Sequence, residues 1–279
     1  MSAPCYIDTH AHVQLADFDL DRSEVIARWQ SAGVCLVIVP GVDIPTSALA
    51  VHLARTTPGI RAAIGVHPDD CTDAVPDFVD HLSKLAEDCG ETIVAIGEIG
   101  LDFKDGMPDH RQQETVFRRQ LELALALGLP VIVHSRFATG ACLDALCAYP
   151  GIRGVMHCFG GSVDELARAV DMGLYVSFTG SVTFPAANNA RAALQACPVE
   201  HLLLETDAPY LAPIPLRGRR NEPAFIAHVY HAASLLKGVQ EEVLCRQLQH
   251  NAAALFTETG RETHARQENV QDCPRTEVV

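Results

Sequence analysis

Eight short apolar runs, each rich in Val, Ile or Leu, recur along this 279-residue chain and limit its possible folds more than any other feature. Near-continuous apolar runs of this length are typical of strands that are buried on both faces. Successive runs begin roughly 21 to 38 residues apart, which is the length of one strand plus one helix. The runs are residues 5–8, 34–40, 61–67, 92–98, 130–134, 153–157, 174–178 and 201–207.

Helical patterns fill the intervals between these runs. Residues 110–128 carry an apolar stripe with the charged side chains mostly elsewhere. Ser162 followed by Glu165 is the capping-box signature of a helix start, and Asp21 with Glu24 opens another helix in a similar way. We expect helices over residues 21–32, 110–128, 162–172 and 240–256.

Strand and helix alternating eight times predict an α/β fold of the (β/α)₈ type, a TIM barrel. The alternative is a doubly wound open sheet, which a G-x-G-x-x-G turn after the first strand would favour. Residues 8–12 read DTHAH at that point instead. We therefore expect one barrel domain over residues 1–257 and a polar, loosely ordered C-terminal extension over residues 258–279.

Composition excludes several classes of protein. Hydrophobic residues make up 48% of the chain, which is enough for a large core, so a mainly disordered chain is excluded. No apolar run reaches the roughly 18 residues of a membrane span, and the N-terminus lacks signal-peptide features. The net charge of −14 argues against nonspecific wrapping of duplex nucleic acid but not against a nucleic-acid substrate gripped by metal ions. We expect a cytoplasmic protein without a membrane partner, and we favour a monomer.

The ten cysteines are scattered along the chain, often within apolar runs, and none forms a C-x-x-C pair. This distribution argues against a disulfide framework and against a zinc ribbon. We therefore expect buried free thiols in a reducing compartment.

Histidine and carboxylate side chains stand where five of the predicted strands end. In a parallel barrel these ends meet at the mouth that carries the active site. His10 and His12 point to the same side because strand side chains alternate, so together they can bind one ion. A buried, unpaired carboxylate is very costly, so Glu98 must be protonated, paired or metal-bound, and Asp207 poses the same problem. The candidate ligands are His10, His12, Glu98, His134, His157 and Asp207.

The number of candidate ligands indicates two metal ions. Six side chains exceed the four that fill a closed zinc site. A carboxylate in the middle of the set can bridge two ions about 3.5–4 Å apart, as two-metal hydrolases require. Nitrogen and oxygen ligands without a thiolate suit Zn, Mn or Mg. A lone histidine at a strand end, such as His134, is more often a hydrogen-bonded core residue than a ligand. The prediction therefore depends on all six candidate ligands standing at strand ends that meet at one mouth.

Other residues near the predicted mouth are candidates for substrate contact, each with a structural alternative. His67 reaches the substrate or shapes its loop, and Arg136 binds phosphate or pairs with a carboxylate. Arg219 and Arg220 belong to a basic cluster after the last strand. A charge run is usually a solvated surface, but phosphate binding is favoured here because the rest of the chain is acidic.

Further residues in the same loops are candidates for substrate or anion binding with weaker support from the sequence. Tyr210 and Phe159 either stack on an unpaired base or pack within their loops. Residues 160–162 lead into a helix start, which is a candidate anion site. Asp102 and Lys104 are compatible with a surface ion pair.

The motifs at the strand ends, taken in this order, resemble the TatD family of metal-dependent deoxyribonucleases within the amidohydrolase-like barrel superfamily. The resemblance covers about residues 5–257. Its marks are DTHAH (8–12), GVHP (65–68), GEIGLDF (97–103), the stretch 112–136, HCFGG (157–161) and the segment 203–223. It implies a barrel of the metal-dependent hydrolase type with two divalent ions. One ion would be held by His10, His12, Glu98 and Asp207, and the other by Glu98, His134 and His157.

The resemblance implies a deoxyribonuclease, 3′–5′ exonuclease-like, that cleaves phosphodiester bonds in single-stranded DNA or at strand ends. The ions would bring the pKa of a bound water near neutrality. Asp207 is the candidate base for the proton of that water, and Glu98 would bridge the ions. Guanidinium groups match phosphate geometry, so the arginines at 136, 219 and 220 would orient the phosphate.

Two other functions remain open from the sequence. The first is a metal-dependent ester or amide hydrolase, such as a D-aminoacyl-tRNA deacylase. A carboxylated lysine on the fifth strand would favour a cyclic-amide hydrolase, but that strand ends in His134. The second is a non-enzymatic binding protein stabilised by metals, which a closed metal site would favour.

Overall fold

Eight parallel strands form one sheet, hydrogen-bonded in chain order, in the computed structural model, which describes residues 5–72, 74 and 76–257. Each strand coincides with one of the predicted apolar runs, with small differences at the ends. The strands are β1 (Tyr6–Asp8), β2 (Val34–Pro40), β3 (Ile60–Ile64), β4 (Ile93–Gly100), β5 (Val131–His134), β6 (Gly154–Met156), β7 (Tyr175–Phe178) and β8 (Leu202–Leu204).

Helices alternate with the strands, so the predicted (β/α)₈ barrel is confirmed. The helices are α1 (Arg22–Ser31), α2 (Ile44–Thr56), α3 (Phe78–Cys89), α4 (His110–Leu127), α5 (Thr139–Cys147), α6 (Val163–Asp171), α7 (Asn188–Ala196), α8 (Ile226–Lys237) and α9 (Glu241–Phe256). The four helices predicted from the sequence correspond to α1, α4, α6 and α9.

The barrel closes between β8 and β1, just beyond the ends of those strands. Ala11 and Ala208 form a parallel bridge there. The backbone N–H of His12 donates to the carbonyl of Ala208 at 2.7 Å, and that of Asp207 donates to the carbonyl of His10 at 2.9 Å. These bonds fix the backbone of the H-x-H segment against that of Asp207.

Neighbouring strand residues face two different cores. Val37 of β2 belongs to the large core between the sheet and the outer helices, whereas Ile38 belongs to a smaller cluster with Leu255 of α9. The side chain of Gln249, also on α9, donates to the carbonyl of Cys5 just before β1. Helix α9 therefore covers the amino end of the barrel, and the other end is left open as the mouth.

Of the two predicted capping interactions, the one at the start of α6 is present and the one at the start of α1 is absent. The capping box of α6 is present: the Ser162 hydroxyl accepts from the Glu165 N–H at 3.2 Å, and the Glu165 carboxylate accepts from the Ser162 N–H at 2.8 Å. At α1 the Asp21 side chain makes no capping hydrogen bond. It binds Arg220 instead, with two contacts of 2.7 and 2.8 Å.

Two of the ten cysteines are paired, so the prediction of free thiols is wrong for Cys5 and Cys35. Their disulfide joins the residue just before β1 to β2 across 30 residues of sequence. The parallel pairing of Tyr6 with Val34 places the two positions side by side, and no local spacing reveals this. The remaining cysteines in the described residues are free, namely Cys71, Cys89, Cys142, Cys147, Cys158, Cys197 and Cys245. Cys273 lies outside the described residues.

No helix within the described part of the chain is both long and apolar enough to cross a membrane. The extension predicted over residues 258–279 lies outside the described residues. The division into one domain over residues 1–257 followed by that extension stays a prediction.

Candidate metal centre

A cavity of about 1250 Å³ occupies the carboxyl-terminal mouth of the barrel. Every strand, or the loop that follows it, contributes to its wall, as expected for the active-site face of this architecture. One lining residue from each, in chain order, is His12, Val42, His67, Glu98, His134, His157, Ser181 and Asp207. All six side chains predicted as metal ligands lie in or directly beneath this wall.

Glu98 lies at the centre of the cluster and directs its two carboxylate oxygens to two different groups. Oε2 is 3.3 Å from Nε2 of His10 and 3.4 Å from Nε2 of His12. Oε1 is 2.8 Å from Nδ1 of His134 and 3.2 Å from Nε2 of His157. This division is the geometry that a carboxylate bridging two cations requires.

The first group is completed by Asp207. Its Oδ1 is 3.6 Å from Nε2 of His12 and 3.8 Å from Nε2 of His10. The two Nε2 atoms are themselves only 3.0 Å apart. The buried Nδ1 atoms of both rings have no hydrogen-bond partner within the described residues. Two imidazole lone pairs and two carboxylate oxygens thus converge on one point, and a cation is the group that fits there.

The second group is held in place by two outer carboxylates. Oδ2 of Asp102 is 3.0 Å from Nε2 of His134, and Oε1 of Glu205 is 3.0 Å from Nδ1 of His157. A carboxylate that accepts the N–H of one ring nitrogen leaves the lone pair of the other nitrogen free for a metal ion. Both free nitrogens point to Glu98. The residues around Oε1 therefore fit a second cation.

The outer carboxylates are candidate functional residues that the sequence did not single out. Asp102 is buried, so the interpretation as a surface pair with Lys104 is wrong. Lys104 contacts the carboxylate through its backbone N–H. Glu205 is buried and accepts from the Ser177 hydroxyl at 2.6 Å and the Cys158 N–H at 2.7 Å. Residues two apart in a strand point to the same side, which is why His10 was grouped with His12. The same spacing separates Glu205 from Asp207, so the sequence could have placed Glu205 near the centre.

A buried carboxylate ties the two ligand-bearing strand ends together. Asp8 accepts from the N–H of Thr206 at 2.9 Å and from its hydroxyl at 2.6 Å. It also accepts from the His10 N–H at 3.3 Å. Burial raises the pKa of Asp8 to about 8, although these donors oppose the change. The contacts hold the segments that carry His10 and Asp207 in register.

His67 differs from the other imidazoles. Its Nδ1 accepts from the backbone N–H of Asp69 at 3.1 Å, so the neutral ring carries its proton on Nε2. That nitrogen lies 3.5 Å from Oε1 of Glu98 and lines the cavity. His67 therefore presents a hydrogen-bond donor to the centre rather than a lone pair.

Opposite charges in the centre change the pKa values of its members in opposite directions. Burial penalises the charge of Glu98, yet His157 and the other imidazoles hold its pKa well below its usual range. Burial also opposes ionised Asp207, but the hydrogen bond with His12 lowers its pKa. Against the cost of burial, Asp207 and Glu98 raise the pKa of His12 to about 9, and Glu205 and Glu98 raise that of His157. Without cations, imidazole protons balance the carboxylates.

The residues predicted to contact substrate are only partly brought together. Arg136 and Tyr210 line the cavity, as does His67. Arg219 and Arg220 are absent from its wall, and the guanidinium of Arg220 is held by Asp21 and lies over the ring of Phe18. The structure therefore gives no support to Arg219 or Arg220 as phosphate ligands.

Two softer predictions are also corrected. Phe159 is only 3% exposed and packs edge-on against Phe178, so its ring is not available for stacking on a base. Of the backbone donors at the start of α6, that of Ser162 is taken by the carboxylate of Glu165. That helix end therefore has no free backbone donor at this position for an external anion.

Comparison with known proteins gives similarities over nearly the full described length. The family model described as TatD related DNase matches residues 7–257. YabD of Bacillus subtilis, an uncharacterized metal-dependent hydrolase, is 38% identical over 252 residues, which cover 89% of this chain and 98% of the relative. The 3′-5′ ssDNA/RNA exonuclease TatD of Pantoea ananatis is 39% identical over 259 residues, with the same coverage of 89% and 98%.

A solved structure is similar to this chain as well. The crystal structure of YJJV, a TatD homologue from Escherichia coli K12, has a TM-score of 0.86 and 31% sequence identity. The match covers 90% of this chain and 98% of that one. The likeness thus extends over most of both chains.

Proposed function

This chain belongs to the TatD-related DNase family and is a metal-dependent hydrolase of ester bonds, and from that premise we propose that it is a 3′–5′ exonuclease acting on single-stranded nucleic acid, DNA in the first place. The observation that carries the proposal is the division of the two Glu98 oxygens between two groups of ligands. The exonuclease activity in the name of the Pantoea relative supports the choice of substrate.

We propose that His10, His12, Glu98 and Asp207 hold one divalent ion and that Glu98, His134 and His157 hold another. When bound, such ions supply the chemistry of a two-metal hydrolase, which acidifies water and offsets negative charge on the phosphate. Glu98 keeps the two positions close together because one carboxylate serves both. The identity of the ions is left to Zn, Mn or Mg, all of which suit nitrogen and oxygen ligands.

Asp207 is the proposed acceptor of the proton from the attacking water. Its lowered pKa keeps the carboxylate ionised near neutral pH, as a proton acceptor requires. Its backbone has φ of 56°. This left-handed conformation is uncommon for a residue with a side chain, although aspartate adopts it more readily than most.

His67 is the proposed donor to a phosphate oxygen. The Asp69 N–H fixes the ring so that the Nε2 proton faces the cavity beside Glu98. A preorganised donor aimed at an oxygen that gains charge stabilises the transition state. Arg136, which lines the same wall, is the proposed cationic partner of the phosphate.

The depth of the centre favours an unpaired strand as substrate. His10, Glu98 and His157 are buried at the floor of a mouth whose wall is built from all eight strand ends. A phosphodiester reaches such a floor most readily from a free strand end, where no second strand surrounds it. We therefore propose removal of nucleotides from a free end of single strands, and the name of the Pantoea relative supports the 3′ end.

The test is a polarity assay with defined substrates. Purified protein is incubated with Mg²⁺, Mn²⁺ or Zn²⁺, or with EDTA, and with single-stranded oligonucleotides labelled at the 5′ or the 3′ end. We expect metal-dependent ladders from the 5′ label and early release of the 3′ label as mononucleotide. Blunt duplexes of the same sequence and aminoacyl esters serve as comparison substrates. Metal-dependent cleavage of aminoacyl esters without attack on any oligonucleotide would overturn the proposal in favour of a deacylase.

A further inference from the structure

The lysine and arginine side chains of the cavity wall lie on one side of it. Among the described residues that line it, the only basic side chains of lysine or arginine are Lys104 and Arg136, which follow β4 and β5 respectively. Other parts of the wall carry the carboxylates of Asp69 and Glu165. In a chain with a net charge of −14, a phosphate backbone is attracted to the side where the two basic residues lie.

An exposed aromatic ring stands on the same side. Phe137 lines the cavity and is 76% exposed. Its backbone has φ of 55°, a left-handed conformation that is rare for a bulky residue and costs free energy. The guanidinium of Arg136 lies 5.7 Å from the centre of its ring. An open ring face beside a cation is the usual way in which proteins bind unpaired bases.

The loops that carry these side chains are fixed to the candidate metal centre. The N–H of Phe103 donates to the carbonyl of Arg136 at 3.0 Å, which ties the two loops together. The N–H of Lys104 donates to the carboxylate of Asp102, whose other oxygen contacts the ring of His134. The backbone segments that carry the two basic residues and the ring are therefore anchored to the centre.

We propose that Lys104, Arg136 and Phe137, which we call the β4–β5 platform, bind the nucleotide next to the phosphate that is cut. Phe137 stacks on its base, Arg136 holds the phosphate that is cut, as proposed above, and Lys104 holds the adjoining phosphate. The proposal rests on the proposed function and adds to it the path of the strand, which leaves the centre over β4 and β5. Stacking accepts any base, so the platform selects unpaired nucleic acid without selecting a sequence.

The first experiment separates binding of the strand from chemistry. We expect Phe137→Ala, in the metal-loaded enzyme, to raise KM for a single-stranded oligonucleotide about tenfold or more, since stacking of one base contributes on that order. Because the ring does not touch the reacting phosphate, kcat stays within about twofold. An oligonucleotide that is abasic at the nucleotide next to the phosphate that is cut has the same KM with the parent and with Phe137→Ala, because it offers no base to stack, and Phe137→Trp keeps the parent KM for the ordinary oligonucleotide. Leu235→Ala is the control, because Leu235 is 70% exposed but lies outside the cavity wall.

The second experiment tests the cations. Lys104→Ala and Arg136→Ala should each weaken oligonucleotide binding and reduce the dependence of log K on log salt by about 0.7 for each phosphate that is no longer neutralised. Arg118→Ala, at an exposed position on α4 that is paired with Glu114, should change neither quantity. Salt dependences equal to that of the parent in both Lys104→Ala and Arg136→Ala would overturn the role of the cations.

The results show separately whether the β4–β5 platform is wrong and whether the proposed exonuclease function is wrong. An active exonuclease in which Phe137→Ala leaves KM unchanged overturns the platform and spares the proposed function. If the parent protein cleaves no oligonucleotide, the proposed function fails, and fluorescence anisotropy of a labelled single strand with the metal-loaded protein decides on the platform. If Phe137→Ala binds the labelled strand more weakly than the parent protein does, the platform is supported. If the parent protein does not bind the strand, or if the two proteins bind it equally, the platform is overturned.

Discussion

Glu98 shows at the scale of one residue how burial and chemistry are reconciled. The side chain is only 3% exposed, and a lone carboxylate in that place would be very costly. Imidazoles surround both of its oxygens, so the cost is offset and the carboxylate stays ionised. The same arrangement prepares it to hold cations.

Replacing Glu98 with Gln keeps the shape of the side chain and removes its charge. We expect the loss of at least one bound ion per chain and a fall in kcat of about 10³-fold or more, because both groups lose their common anionic ligand. Metal content is measured by mass spectrometry after dialysis, and activity with a single-stranded oligonucleotide. Glu114→Gln, at an exposed position on α4, is the control. A Glu98→Gln protein with full metal content and activity within a few-fold of the parent contradicts the assignment.

His67 and His134 lie side by side but are expected to respond differently to removal. His67→Ala should keep its metal content and lose about 10²-fold in kcat, as expected when one donor to the transition state is removed. His134→Ala should lose metal. The two variants are compared by metal analysis and by oligonucleotide kinetics. Loss of an ion from His67→Ala would show that His67 is a ligand after all.

At the scale of the elements, contacts between strands orient the ligands. Asp102 follows β4 and fixes a ring at the end of β5, while Glu205 follows β8 and fixes a ring that follows β6. Each of these two ligands therefore depends on a carboxylate supplied by another strand.

Removing an outer carboxylate should weaken metal binding without removing a ligand. We expect Asp102→Ala to lower metal affinity about 10- to 100-fold, because His134 loses the partner that fixes its orientation. Competition with a chelator measures the affinity. Asp144→Ala, which removes an exposed carboxylate on α5 that pairs with Arg168, should leave it unchanged. Equal affinities for the two variants would mean that Asp102 does not orient the ligand.

The disulfide between Cys5 and Cys35 links the segment just before β1 covalently to β2. It closes a loop across 30 residues of sequence, so its reduction should lower the free energy of unfolding by about 2–4 kcal/mol. Urea unfolding with and without a reductant measures the change, and Cys35→Ser should reproduce it. Cys147→Ser, at an exposed free thiol, is the control. Identical unfolding midpoints of the parent and Cys35→Ser would contradict the expected stabilisation.

At the scale of the whole molecule, the barrel gathers carboxylates and imidazoles from distant parts of a chain with a net charge of −14. The mutual repulsion of the carboxylates and their burial must be offset by positive charge at the mouth. In the metal-free protein protons on the imidazoles supply it, as the raised pKa of His12 and of His157 shows.

Metal binding should therefore release protons. A pKa of about 9 means that His12 is protonated at pH 7.5, whereas a ligand imidazole must be neutral. Metal affinity should rise with pH until the pH passes this pKa and change less above it. Calorimetry at pH 7.5 in two buffers of different ionisation enthalpy measures the release, which should shrink at pH 10. Binding heats that are the same in both buffers at pH 7.5 would contradict this charge balance.

Much of the fold and of the candidate site was predictable because it follows from local pattern and chain order. The spacing of apolar runs predicts the eight strands, and a parallel barrel brings their carboxyl ends to one mouth. Six candidate ligands at those ends were therefore expected to meet, and the geometry brings them together around Glu98. The type of each side chain and the element that carries it are properties of the sequence alone.

The tertiary structure alone decided which groups are partners. Asp102 pairs with His134 rather than with the side chain of Lys104, and Arg220 pairs with Asp21. Phe137 is an exposed ring in the mouth, whereas Phe159 is buried. The disulfide belongs to the same class of feature. The physical reason is that periodicity depends on neighbours a few residues away. Pairing and exposure depend on how loops from separate strands pack, and residues far apart in the chain determine that packing.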